Sequence, residues 1–153
     1  MTAEAVFDQL LEVTLLLQAD MTRSLSALGL TVMKTHLLWE VHQNGPCPQQ
    51  RLAQALGVSP RHVTGLVDAL GSDGFARRLP HPHDRRAVLV ELTDKGTATM
   101  TQMQEQRSRD AAALVADLDA RRVEQLRQGL DAVLTRLREL VADADSGDAG
   151  GVR

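Results

Sequence analysis

Apolar residues along the first thirty positions recur at intervals of three and four. Phe7, Leu10, Thr14, Leu17, Met21 and Leu28 form one line, and Leu11, Leu15, Leu16 and Leu25 widen it well past a single stripe. The spacing predicts a helix over 5–28 that is apolar on most sides, so it needs two partners, one of them expected to be another subunit. Gly29 ends it. Thr31 is placed to cap a second helix running to about Gln43, with Met33, Leu37, Leu38 and Val41 inward, and Asn44-Gly45-Pro46 breaks the chain. A short helix, Gln49–Leu56, is closed by Gly57, and Ser59 caps a fourth with Pro60 in its first turn and Val63, Leu66, Val67 and Leu70 on one face.

The period then changes. Residues 76–79 and 87–92 read as strands, the second alternating Val88, Val90 and Leu92, and the polar loop Pro80-His81-Pro82-His83-Asp84-Arg85-Arg86 joins them. Thr93 caps a long helix with a sparse apolar line of Met100, Met103, Leu114 and Leu118. In the last helix, about Ala120 to Ala142, Val123, Leu126, Leu130, Val133, Leu137 and Leu140 repeat at alternating steps of three and four, a heptad seam. Residues 143–153, rich in Asp, Gly and Ala, read as a disordered tail. The expected fold is mainly α with a small β-wing, in one domain of 153 residues. Within it, 1–30 and 115–142 are expected to dimerise, and 31–96 to carry the reading head.

Composition narrows the class. Aromatic residues make up only 2% of the chain and Tyr is absent, so the core is built from Leu, Val and Ala. No apolar run is long enough to span a membrane and no leader pattern precedes the first helix, so a cytoplasmic location is expected. One cysteine excludes an internal disulfide. The net charge of −3 looks wrong for a nucleic-acid binder until it is divided along the chain. Residues 49–86 hold six Arg against three Asp, whereas the segments on either side are each acidic. A basic segment between acidic ones is the footprint of a small reading head on a neutral-to-acidic scaffold.

Residues 49–70 have the layout of a helix-turn-helix. Ala53 is small where the helices cross, Gly57 supplies the positive φ of the sharp turn, and Val58, Val63 and Leu66 fill the angle. Ser59 and Pro60 start the second helix so that Arg61, His62, Thr64, Gly65 and Asp68 face outward, where a helix can enter a major groove. Arg77, Arg78, Arg85 and Arg86 stand at the base and tip of the following hairpin, within reach of phosphates and a minor groove.

The stretch from Asp84-Arg85-Arg86 through Ala87–Leu92 to Thr93-Asp94-Lys95-Gly96 resembles the wing signature of the MarR (multiple antibiotic resistance regulator) family: Asp-x-Arg, a strand, then Leu-Thr-x-x-Gly. The order of helices is similar over about residues 5–142. The resemblance implies that Arg86 enters the minor groove, that Asp84 holds the wing by pairing with basic groups, and that Arg85 meets the DNA backbone. It implies that the helix Pro60 to Asp73 reads the major groove and that the first and last helices form the dimer interface through Phe7, Leu10, Leu11, Leu17, Val123, Leu126, Leu130, Val133, Leu137 and Leu140. Gly65 departs from the family pattern, in which a long side chain is common.

Family members commonly respond to small molecules lodged near the dimer helices. Met21, Arg23, Met33, His36, Trp39 and His42 are the candidates here, although a lone Trp with nearby His is more often ordinary core or surface. Cys47, before Pro48, suits either an oxidant sensor or, more plainly, an inert small residue. His81, His83 and Asp84 form a poor metal site because proline spaces them in a loop. No cofactor is expected. The chain lacks a Gly-rich phosphate loop, a Gly-x-Ser-x-Gly elbow and His-Glu-x-x-His, which speaks against an enzyme. The expected function is a transcription regulator, a repressor that binds a palindromic double-stranded operator as a homodimer and is released by an effector. The competing readings are a winged-helix protein-interaction module and a ligand-sequestering protein with degenerate DNA binding.

Overall fold

The computed structural model describes residues 2–148. Its elements are α1 (Ala3–Ala27), α2 (Val32–Asn44), β1 (Cys47–Pro48), α3 (Gln49–Leu56), α4 (Pro60–Ser72), β2 (Ala76–Pro80), β3 (Val88–Leu92), α5 (Asp94–Leu114) and α6 (Ala120–Asp148). The chain divides into two compact units, one reaching Gln104 and the other beginning at Glu105.

In the first unit the core lies among α2, α3, α4, the sheet and the first turns of α5. Leu37, Leu38 and Val41 supply it from α2, Leu52 and Ala53 from α3, and Val63, Val67 and Leu70 from α4. Val90 of β3 and Met100 of α5 join it, as do Leu25 of α1, Leu30, Cys47, Phe75 and Ala76. The α4 set shares one helix face at the three- and four-residue spacing read from the sequence, and each fully buried Leu or Val stabilises the fold by about 1.5–3 kcal/mol. Threonine and serine caps fix where the helices begin. Thr31 Oγ1 accepts from the Lys34 amide at 3.3 Å, Ser59 Oγ from His62 at 3.2 Å and Thr93 Oγ1 from Gly96 at 3.1 Å.

The sheet has three antiparallel strands in the order β1-β3-β2. Ala76 to Pro80 pair with Leu92 to Val88, as the hairpin predicts. The third strand is a difference from the sequence reading: Cys47 and Pro48 pair with Val90 and Leu89. Two residues are too few to show a period, and Pro48, which lacks an amide proton, reads as the start of the third helix; an edge position tolerates it.

The sheet is anchored where α4 hands over to β2. The Thr93 amide donates to the Phe75 carbonyl at 3.0 Å, and the Thr93 hydroxyl donates to the Gly74 carbonyl at 2.6 Å. The Lys34 ammonium pairs with Asp73 at 2.8 Å. Lys95 donates to the Asp73 carbonyl at 2.7 Å and lies over the Phe75 ring, 4.3 Å from its centre. Gly96 is obligatory here, because a Cβ would lie 2.0 Å from the Phe75 carbonyl oxygen.

The termini of the last two helices also differ from the sequence reading. α5 stops at Leu114, so Leu118 falls in the following turn rather than on its apolar line. The next helix starts after Asp119, whose carboxylate accepts from the Arg122 amide at 2.8 Å and caps α6. α6 then continues to Asp148, past the expected end at Ala142. Ala142 and Ala144 favour helix, and no proline intervenes. The remainder of the predicted tail, residues 149–153, lies outside the described residues. In the second unit, Arg127 bridges Glu124 and Asp131, and Arg136 pairs with Glu139, stitching the polar face of α6. The Glu124 carboxyl is held below its ordinary range by hydrogen bonds from Arg127 and then Gln128.

Candidate nucleic-acid interface

The angle between α3 and α4 is set by a single residue. Gly57 adopts the left-handed conformation, φ +64°, and the next amide, of Val58, returns to the Ala53 carbonyl at 3.1 Å. Val63 is fully buried in that angle, with Val58 and Leu66 packed against the core. The Ser59 cap and Pro60 then start α4 with its first turns facing solvent. Arg61, His62, Thr64, Gly65 and Asp68 are all exposed, as are Ser59 and Pro60. A Cβ on Gly65 would meet nothing within 4 Å, so glycine there leaves α4 open to close approach from outside and is not needed for packing.

The wing and α4 are tied together by polar side chains. Arg78 on β2 donates through Nη1 to Asp68 at 2.6 Å, through Nη2 to the Thr64 carbonyl at 3.3 Å, and through Nε to Gln49 Oε1 at 3.3 Å. The Gln49 amide nitrogen donates to the Thr64 hydroxyl at 3.2 Å. Arg78 thus joins the start of α3, the recognition helix and the wing. Gln49 has no sequence signature and was not among the expected residues. Arg77 pairs with Glu91, its cross-strand partner on β3. Both arginines at the root of the wing are therefore engaged within the chain.

Those at the tip are not. Arg85 and Arg86 are exposed and, among the described residues, make no ion pair; the same holds for Arg61 on α4. The turn that carries them is organised by its own backbone. The His81 amide donates to the Ala87 carbonyl at 3.3 Å and the Ala87 amide to the Asp84 carbonyl at 3.1 Å. Asp84 Oδ1 accepts from the Arg86 amide at 2.9 Å, so the aspartate holds the wing through an amide rather than by pairing with a basic side chain. His81 Nδ1 accepts from the amides of His83 and Asp84. Among the described residues no group of His, Cys, Asp or Glu is arranged to hold a metal ion.

Cys47 is buried on β1. Burial pushes its thiol above the ordinary range; Arg51 acts in the opposite direction, and Glu40 adds to the rise. The candidate effector residues are scattered by comparison. Trp39 is half-buried against the core with its ring 5.9 Å from that of His42. Met33 is half-buried, His36 and Met21 are exposed, and Arg23 pairs with Asp20 at 3.9 Å. The expected dimer residues are uncovered in the single chain: Phe7 is 60% exposed, Leu17 51% and Leu137 52%. Leu11, Leu126, Leu130, Val133 and Leu140 are exposed with them, while Leu10 and Val123 are half-covered.

A capped helix presented across a glycine turn, followed by an arginine-tipped hairpin, defines a winged helix-turn-helix module. Comparison with known proteins agrees. The MarR family model matches residues 30–88. The HTH-type transcriptional regulator YhbI of Bacillus subtilis is 32% identical over 115 residues, 75% of this chain and 74% of YhbI. The HTH-type transcriptional repressor YetL of the same organism is 36% identical over 66 residues, 43% of this chain and 39% of YetL. The crystal structure of RV1404 from Mycobacterium tuberculosis superposes with a TM-score of 0.72 at 30% identity, over 91% of this chain and 94% of that one. The chain belongs to the MarR family of winged-helix transcription regulators and is not an enzyme. Among the described residues no helix is long and apolar enough to cross a membrane.

Proposed function

We propose that two copies of this chain bind a palindromic duplex operator in the cytoplasm and repress transcription by occluding a promoter, and that a small-molecule effector releases them. The observation that carries the reading is the split among the arginines. Arg77 and Arg78 are consumed in building the module, whereas Arg61, Arg85 and Arg86 are held out on α4 and the wing tip without partners. Uncompensated guanidinium groups on two adjacent projections suit one duplex, with α4 in the major groove and the wing tip at the minor groove. Ser59, Pro60, Arg61, His62, Thr64 and Gly65 form the reading surface. Asp68, Arg77, Arg78 and Asp84 support it from within, and Arg85 and Arg86 touch DNA.

The exposed apolar lines of α1 and α6 support a homodimer, with the winged helix-turn-helix at 31–96 engaging half-sites about one DNA turn apart. Repression is supported by the name of the relative YetL. For the effector, the half-buried Trp39–His42 pair on α2 is the proposed seat, with Met21, Arg23, Met33 and His36 near it in sequence. Release requires only that the effector favour a conformation that binds DNA less well.

The test is selection of bound sites from random duplex DNA, followed by titration of the selected site. Arg86→Ala is expected to weaken binding by about 1–3 kcal/mol. The wild type should show a log–log salt slope on the order of −5 to −9, for roughly 6–10 phosphate contacts. An Arg86→Ala variant that holds the selected duplex as tightly as the wild type would overturn the wing assignment.

A further inference from the structure

We propose that His81 is a positioning residue for the wing, and that it sets the arginine-bearing turn only as a neutral ring with an unprotonated Nδ1. Its Nδ1 accepts from the His83 amide at 3.2 Å and from the Asp84 amide at 3.1 Å. Two donors converging on one ring nitrogen require a lone pair there, which leaves the single ring proton on Nε2. The sequence makes this arrangement available. Pro82 has no amide proton, so His83 and Asp84 carry the first two donors after His81, and both turn back on its ring.

The consequence runs forward along the turn. Asp84, fixed by its amide to His81, accepts the Arg86 amide on Oδ1 and the Ala87 amide on its carbonyl; Ala87 in turn accepts from the His81 amide. His81 therefore closes the mouth of the turn with its backbone and orders the first half with its side chain. Arg85 and Arg86 take their placement from that frame. Imidazolium carries a proton on both nitrogens, so a charged ring would set a third donor against two donors, and the first half of the turn would open. The charged and titratable groups sharing the turn are His83, whose ring stands edge-on at 6.3 Å, Asp84, and the guanidinium groups of Arg85 and Arg86. On the strands behind it, Arg77 and Glu91 are committed to each other.

For DNA binding the inference rests on the function proposed above, but the turn itself is testable without DNA. The full chain, ¹⁵N-labelled, is compared as wild type, His81→Asn and His81→Ala. Asparagine keeps a side-chain acceptor suited to turn amides and does not titrate. Long-range ¹⁵N–¹H spectra should show wild-type His81 with its proton on Nε2 at about pH 8. Tryptic cleavage at Arg85 and Arg86 should be roughly fivefold faster in His81→Ala, about the weight of one net hydrogen bond, and restored by His81→Asn. A proton found on Nδ1, or a His81→Ala turn as resistant as the wild type, would each overturn the proposal. Affinity for a labelled random-sequence duplex is measured alongside. If the turn loosens and duplex affinity does not fall with it, His81 stands as the wing's organiser and the assignment of the wing to DNA fails.

Discussion

Arg78 and Arg86 are both wing arginines, yet Arg78 spends its donors on Asp68, Thr64 and Gln49 while the Arg86 guanidinium, among the described residues, makes no ion pair. Residue type alone could not separate them. What separates them is position, because Arg78 sits on β2 beside Gln49 and Asp68 whereas Arg86 lies in the turn between the strands. Cys47 makes the same point in reverse. Its position before a helix suggests an activated thiolate, but it is buried on β1 and the dominant influence of burial keeps its proton on. The native thiol is therefore expected to react with iodoacetamide at neutral pH far more slowly than in the unfolded chain. Since the folded protein holds that proton more tightly than the unfolded one, the associated stability is complete below the ordinary thiol range and declines as pH rises through it. Rapid labelling of native protein at neutral pH would contradict the burial argument.

At the scale of elements, the helices, their caps and the hairpin were readable because each has a local cause: Thr31, Ser59 and Thr93 as caps, Gly57 as a turn, and alternation in β3. What was not readable depends on contacts distant in sequence. β1 exists only because β3 lies beside it, and Gln49 acquires a role only when β2 brings Arg78 across to α4. The end of α5 was missed for a different reason, since Leu114 and Leu118 keep helical spacing and no proline or glycine marks the stop. The Arg78–Asp68 link carries a prediction of its own. Both groups are partly solvated, with side chains 37% and 61% exposed, so the direct coupling is expected to be modest, about 0.2–1 kcal/mol in a double-mutant cycle on stability. The effect on DNA affinity should exceed it, because losing the link frees the wing from the recognition helix. A cycle in which Arg78→Ala and Asp68→Ala add independently for both stability and DNA affinity would show that the two elements are not coupled through this pair.

For the molecule as a whole, much of the apolar surface that the single chain leaves uncovered lies on α1, read from the sequence as apolar on most sides, and on α6, read as a heptad seam. The chain is expected to sediment as a dimer at micromolar concentration. Leu130→Lys combined with Leu137→Lys should raise the dissociation constant by at least about 100-fold, since each leucine contributes roughly 1.5–3 kcal/mol when covered. An unchanged sedimentation coefficient in that variant would place the interface elsewhere. The small sheet offers no competing route for association. One rim ends in Pro48 after only two residues, and the other bears Arg77 and Arg78 and finishes in Pro80. Neither presents a run of bare, uncharged backbone onto which a neighbour could add a strand. Even in concentrated solution, the sheet rims of this protein are thus guarded against the strand addition that starts fibril growth.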